Sequence, residues 1–78
     1  MKKFEVEHGG NAILVENRAS GEKLFVNGEL QDERVGLSFV ARLYGKLPTG
    51  ESIKVSLGGV WTIQCRIFID NKLVFPKK

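Results

Sequence analysis

The sequence predicts an all-β fold, a small antiparallel β-sandwich of seven or eight short strands. Apolar and polar residues alternate with a period of two along most of the chain, and no segment keeps the period of an α-helix. Turn-forming dipeptides such as Asn27-Gly28 separate the alternating segments. Two packed sheets bury one face of each strand, and a partly open barrel of the SH3-like or OB-like kind is the alternative. The number of segments and a long segment near the C-terminus favour the sandwich.

Four strands are predicted in the first half of the chain. Asn27-Gly28 is a strong hairpin signal because both residues tolerate the positive φ angles of a type I′ turn. The clusters at 8–11 and 17–21 are rich in glycine, asparagine and serine and are predicted turns. The last of the four strands is polar, which indicates a position at the edge of a sheet. The predicted strands cover residues 3–7, 12–16, 22–26 and 29–34.

The second half of the chain alternates more regularly. Pro48 fixes its φ angle within a loop over 45–50 that closes a hairpin. Gly58-Gly59 is expected to break or bulge the strand that precedes it. Asp70-Asn71 forms another tight turn, and Pro76 ends the last strand. The predicted strands cover residues 37–44, 52–57, 60–70 and 72–75.

The predicted core takes one face of each alternating strand. On the second strand Leu14 is preferred to Ile13 and Val15, although three consecutive apolar residues leave the choice of face weakly determined. The predicted core residues are Phe4, Val6, Leu14, Leu24, Val26, Phe39, Leu43, Ile53, Val55, Leu57, Trp61, Ile63, Ile67, Ile69 and Leu73.

Length and composition fit one folded domain, predicted over residues 1–78. The 42 % of hydrophobic residues and the net charge of +3 are those of a globular protein rather than a disordered one. No targeting sequence or membrane-spanning run is recognised. Cys65 is the only cysteine, so no internal disulfide can form, and cytoplasmic localisation is the simplest expectation.

The sequence pI of about 9.3 raises the question of nucleic-acid binding. Basic residues are interleaved with acidic ones along the chain, and clusters occur only at the ends, Lys2-Lys3 and Lys77-Lys78. Such ends are more typical of solubilising tails than of phosphate-binding sites. Nucleic acid is therefore an unfavoured partner.

No pattern of catalytic, metal-binding or cofactor-binding residues stands out, and we expect no enzymatic activity and no cofactor. His8 is the only histidine, so a zinc site would need carboxylates to complete it. Cys65 falls on a predicted buried face, whereas a nucleophilic thiolate needs an exposed, electropositive setting. Glu5 and Glu7 are interpreted as part of the solvated face of their strand, since acid–base catalysis needs a desolvated carboxylate.

The unusual feature is the face opposite the predicted core, which should be polar if it met only solvent. Arginine beside aromatic residues is typical of surfaces that bind proteins or nucleic acids. Three explanations stay open: the apolar residues pair or are covered within the chain, they bind a protein or another copy, or they bind a nucleic acid. The candidate partner-binding residues are Phe25, Arg42, Tyr44, Arg66 and Phe68, accompanied by Val40, Val60 and Val74.

Several short segments follow one another in a recognisable order. They are the turn Ala19-Ser20-Gly21, the strand and turn at 24–28, Leu-Tyr-Gly-Lys at 43–46, Ile-Lys-Val at 53–55, and the hairpin at 66–72. With this combination most of the chain, from Glu16 onward, resembles one repeat of the Fas apoptosis inhibitory molecule family. The resemblance implies an all-β sandwich that has no enzymatic activity and acts through protein interactions. The chain is less than half as long as that family's members, so their apoptotic partners and functional residues are not transferred.

Overall fold

The described residues form eight β-strands in two four-stranded antiparallel sheets, which confirms the predicted all-β class and is consistent with a small β-sandwich. The computed structural model describes residues 1–59 and 61–76. The strands are β1 (Lys2–His8), β2 (Asn11–Arg18), β3 (Gly21–Val26), β4 (Glu29–Val35), β5 (Val40–Lys46), β6 (Ser52–Gly58), β7 (Gln64–Ile69) and β8 (Lys72–Phe75). Strands that follow one another in sequence pair in space, so β1 to β4 form the N-terminal sheet and β5 to β8 the C-terminal sheet.

Two of the tight turns follow the sequence prediction. Asn27 and Gly28 have φ angles of 50° and 82°, and Asp70 and Asn71 have φ angles of 47° and 66°. Positive φ at both central residues is what a type I′ turn requires. The Asn27 side chain also accepts a hydrogen bond of 2.9 Å from the backbone N–H of Ala12, which ties this turn to the first residues of β2.

Alternating side chains from both sheets form the core, but the predicted face of β2 is wrong. Ile13 and Val15 are buried, whereas Leu14 lies on the opposite face. The reason is the two-residue turn Gly9-Gly10, which pairs Val6 with Ile13 and so places both on the inner face. The buried hydrophobic residues are Val6, Ile13, Val15, Leu24, Val26, Ala41, Leu43, Leu47, Ile53, Val55, Leu57, Cys65, Ile67 and Ile69, with Phe4, Ile63, Val74 and Phe75 partly buried against them.

Three residues predicted for the core are exposed: Phe39 by 69 %, Trp61 by 97 % and Leu73 by 42 %. Phe39 precedes β5, which begins at Val40 rather than at 37. Trp61 precedes β7, which begins at Gln64 rather than at 60. Alternation orients side chains only where strand pairing holds the backbone extended, so it gave the wrong direction for Phe39 and Trp61. Leu73 lies within β8, but the two-residue turn before it pairs it with Phe68 on the outer face of the sheet.

Side chains of β4 cover the neighbouring edge of β5. Asp32 Oδ2 accepts a hydrogen bond of 2.8 Å from the Tyr44 N–H, and Gln31 Oε1 accepts one of 3.4 Å from the Lys46 N–H. Because β5 is an edge strand, these backbone donors would otherwise face an unpaired edge. β4 is itself an edge strand, as its polar sequence predicts.

Candidate interaction surfaces

Four of the five predicted partner-binding residues share the outer face of the C-terminal sheet. Arg42 and Arg66 oppose the same residue of β6 and lie in one cross-strand row. Tyr44 and Phe68 both oppose Lys54 in the next row. Lys54 Nζ lies 5.0 Å from the centre of the Phe68 ring, a favourable position for a cation over an aromatic face. We call these five residues, Arg42, Tyr44, Lys54, Arg66 and Phe68, the basic face.

Acidic residues are divided unequally between the strands of the two sheets, contrary to the even interleaving expected from the sequence. The strands of the C-terminal sheet contain five basic residues and no acidic one. Its carboxylates lie in turns at one end, where Asp70 accepts a hydrogen bond of 2.9 Å from the Ser52 N–H and Glu51 lies 3.6 Å from His8. The strands of the N-terminal sheet contain five basic and seven acidic residues.

Phe25, the fifth predicted residue, lies on the outer face of the other sheet. It opposes Leu14, which in turn opposes Glu5. Phe25 and Phe68 therefore do not pair across neighbouring strands, which was one of the explanations left open. Around Phe25 the surface forms a groove of about 540 Å³. We call it the acidic groove; its outer-face residues are Glu5, Glu7, Ala12, Leu14, Glu16 and Phe25. Glu16 is buried and forms an ion pair of 2.6 Å with Arg18, so Glu5 and Glu7 carry the exposed negative charge.

Large apolar side chains are exposed in the connections between β4 and β5 and between β6 and β7. Leu37 is 87 % exposed, and Trp61 is almost as exposed as a free side chain. A hydrogen bond of 3.2 Å from the Gly59 N–H to the Phe39 carbonyl oxygen joins the two connections. We call the exposed apolar residues of these connections and of the adjoining strand ends the apolar end; they are Val35, Leu37, Phe39, Val40 and Trp61.

A buried carboxylate lies next to the apolar end. Glu22 is 3 % exposed and opposes both Asn17 and Arg34. Asn17 Nδ2 donates a hydrogen bond of 3.3 Å to Oε2, and Arg34 Nε lies 3.3 Å from Oε1. Within the described residues, Oε1 is the buried side-chain oxygen that lacks a hydrogen bond. Glu22 lines a cavity of about 220 Å³ together with Leu37 and Phe39, so a carboxylate and apolar side chains share one recess.

The remaining predicted positions divide into three cases. Val40 belongs to the apolar end, whereas Val74 is partly buried against the core. Val60 and the terminal Lys77-Lys78 lie outside the described residues.

The residues considered for catalysis lie in different surroundings. Cys65 is buried, and desolvation raises the pKa of its thiol from 9.0 to about 12, which keeps it protonated near neutral pH. His8 lies 3.6 Å from Glu51 at the surface. Over residues 1–59 and 61–76, no three histidine, cysteine, aspartate or glutamate side chains are grouped as metal ligands.

Sequence reasoning missed Glu22 and the unequal division of charge, although signals for both were present. Glu22 alternates in phase with Leu24 and Val26, so it shares their inner face. The unequal division of charge could have been found by counting the acidic residues in the predicted strands of each half of the chain.

Comparison with known proteins found no match: no family model, no curated protein and no solved structure resembles this chain significantly. The resemblance to a Fas apoptosis inhibitory molecule repeat therefore stays a prediction from the hairpin pattern. In the part of the chain that the structure describes, no helix is long and apolar enough to cross a membrane.

Proposed function

We propose that this chain is a non-enzymatic protein-interaction or self-assembling module. The observation that carries the proposal is the apolar end, where five large apolar side chains are exposed in two joined connections and at the strand ends beside them. Large exposed apolar patches are uncommon on monomeric proteins and mark interaction sites. Tryptophan is enriched among the residues that dominate binding energy, which makes Trp61 the expected anchor.

The basic face supplies a second part of the binding surface. Val40 lies at the start of β5, so the apolar end continues into the face that holds Arg42 and Tyr44. Aromatic residues and arginine are enriched in protein interfaces, where Lys is usually depleted. We propose Arg42, Tyr44, Arg66 and Phe68 as partner-binding residues together with Trp61 and Leu37.

The proposal is tested by removing the apolar end without disturbing the core. We would compare the wild type with Trp61→Ser/Leu37→Ser, since both side chains are exposed. Thr62→Ser is the matched control because it changes the same connection and removes only one methyl group. Each protein is immobilised, exposed to cell extract and eluted for quantitative mass spectrometry, and its mass in solution is measured by light scattering over a concentration series.

We expect proteins, or further copies of this chain, that the wild type and Thr62→Ser retain and that the double variant loses. Trp61 is the only tryptophan, so its fluorescence gives an independent readout. Its emission should match that of free tryptophan in the monomer and shift to shorter wavelength on association. Identical retained proteins for all three chains, together with a strictly monomeric wild type, would contradict the proposal.

Nucleic-acid binding is the second candidate, supported by the absence of acidic residues from the strands that form the basic face. Single strands bind where cationic side chains alternate with aromatic platforms, as Arg42, Lys54 and Arg66 do with Tyr44 and Phe68. Three phosphate contacts would give a slope of about −2 for log K against log salt concentration. Fluorescence anisotropy with a labelled oligothymidine measures this slope, and absent or salt-insensitive binding removes the candidate.

A further inference from the structure

We propose that the basic face of one copy binds the acidic groove of another copy, so that the chain assembles head to tail. The inference rests on the proposed protein-interaction function and names its partner as a second copy of this chain. It starts from the placement of Phe25 on one sheet and of Arg42, Tyr44, Arg66 and Phe68 on the other. The predicted residues do not form one patch, but the two patches they do form are complementary.

The apolar parts of the two surfaces are arranged alike. On the N-terminal sheet one cross-strand row runs Glu5, Leu14, Phe25 and Leu30. On the C-terminal sheet one row runs Tyr44, Lys54, Phe68 and Leu73. Each row therefore offers a strip of exposed or half-buried apolar side chains across the outer face of its sheet.

On one side of the apolar strips the charges of the two surfaces are opposite in sign. On the other side of the N-terminal strip the row is mixed, with Glu16 between Lys3 and Lys23. Glu7 lies one row away from Glu5 on β1, and the Arg42 and Arg66 row lies one row away from Tyr44 and Phe68. Same-face rows are about 7 Å apart in any sheet, so basic and acidic rows can meet when the apolar strips do. In the described part of the chain, none of Glu5, Glu7, Arg42 and Arg66 forms an ion pair, and all four are exposed.

The surfaces are large enough for a specific contact. The Cα extents of the molecule are 33 × 27 × 17 Å. Because packed sheets lie only about 10 Å apart, the shortest extent is assigned to the stacking direction, and the two outer faces are the broad sides. A standard protein interface buries about 800 Å² on each partner, which is close to the area of one such side. Both surfaces can therefore be covered at once by two different neighbours.

Pairing of unlike faces also fits the charges better than pairing of like faces. Two basic faces brought together would oppose Arg42 and Arg66 to cations, and like charges across an interface are unfavourable. When the basic face of one copy contacts the acidic groove of another, the pair still has one uncovered basic face and one uncovered acidic groove. Such a heterologous contact continues into rings or open chains instead of stopping at a dimer.

Charge reversal tests the proposal by sedimentation velocity over a concentration series at low ionic strength. The wild-type mass should rise beyond that of a dimer. Glu5→Lys/Glu7→Lys and Arg42→Glu/Arg66→Glu should each stay monomeric, because both faces of each variant then have the same sign. An equimolar mixture of the two should associate again, since each variant offers the face that the other needs, and the chain with all four changes should associate alone.

Two variants with the same change in net charge, Glu7→Lys and Glu29→Lys, separate the effect of the contact from the effect of net charge. Glu7→Lys should weaken the association constant about tenfold, the loss of one close charge pair across an interface. Glu29→Lys makes the same change in net charge outside the acidic groove and should leave the constant unchanged.

The outcomes separate this inference from the proposed function. A wild type that associates while the mixture of variants stays monomeric overturns head-to-tail pairing and leaves the interaction module intact. A wild type that is monomeric at every concentration also overturns it, and the proposed function is then decided by the proteins that Trp61→Ser/Leu37→Ser fails to retain. Restored association of the mixture supports the inference even if Trp61 and Leu37 prove dispensable.

Discussion

The opposite environments of Leu24 and Trp61 give a direct test of where the core lies. Leu24 is fully buried between the sheets, close to Gly45, where an added Cβ would lie 3.2 Å from Leu24 Cδ2. Leu24→Ala leaves a cavity at this junction and should cost about 2–5 kcal/mol in the free energy of unfolding. Trp61→Ala removes a far larger side chain, but one that is 97 % exposed, so the cost should stay below about 0.5 kcal/mol.

Urea unfolding followed by far-ultraviolet circular dichroism measures both costs without relying on the tryptophan. A domain of this size has a total stability of about 4–12 kcal/mol, so Leu24→Ala removes a large share of it. With a slope of about 1 kcal/mol per molar urea, its midpoint should fall by about 2 M or more. The midpoint of Trp61→Ala should fall by less than about 0.5 M. Equal losses for the two variants would place Trp61 in the core and refute the exposure on which the proposed function depends.

Three further predictions follow from single contacts. Burial raises the folded-state pKa of Cys65 from 9.0 to about 12, so above pH 9 the native state holds a proton that the unfolded chain releases. The free energy of unfolding should therefore fall as the pH rises above about 9, by at most about 1.4 kcal/mol per pH unit. Urea titrations of the wild type against Cys65→Ala over that range should show a shallower fall for the variant, and parallel curves would contradict the buried thiol. Gly21→Ala should lower the thermal midpoint far more than Gly28→Ala. A Cβ at Gly21 collides with a backbone carbonyl of β4, whereas a Cβ at Gly28 meets open space. Both positions have positive φ, so an equal fall in the two midpoints would mean that backbone strain, and not the collision, sets the cost of the substitution. Asp32→Ala should cost about 1 kcal/mol and speed hydrogen exchange of the Tyr44 amide, and unchanged exchange would show that its acceptor is not Asp32.

Much of the fold could be predicted because strands and two-residue turns have strong local signals. The Asn27-Gly28 and Asp70-Asn71 turns adopt the expected positive φ angles, and the alternation of Ile53, Val55 and Leu57 places all three in the core. The connections could not be predicted in the same way. Their side chains are oriented by contacts between distant segments, such as the bond from Gly59 to Phe39, and a period of two says nothing about them.

The candidate surfaces were harder to predict, since the sheet to which a strand belongs decides which exposed residues are neighbours. Phe25 and Phe68 have similar hairpin surroundings in the sequence, yet they lie on opposite sides of the molecule. Alternation identified both as outward-facing. It could not reveal that the chain divides into two consecutive meanders, and that division is what separates the acidic groove from the basic face.

The outward direction of Leu14 and the burial of Glu22 have a single cause in the hairpin register. A two-residue turn at Gly9-Gly10 pairs Val6 with Ile13, and the register of β2 with β3 then pairs Val15 with Leu24. Once Val6 faces the core, Ile13 and Val15 must face it too, and Leu14 must point outward. The same register pairs Asn17 with Glu22 on the inner face, which brings a carboxylate to the end of the core. A shift of one residue would bury Leu14 and return Glu22 to solvent, so the acidic groove and the carboxylate beside the apolar end exist only in the observed register.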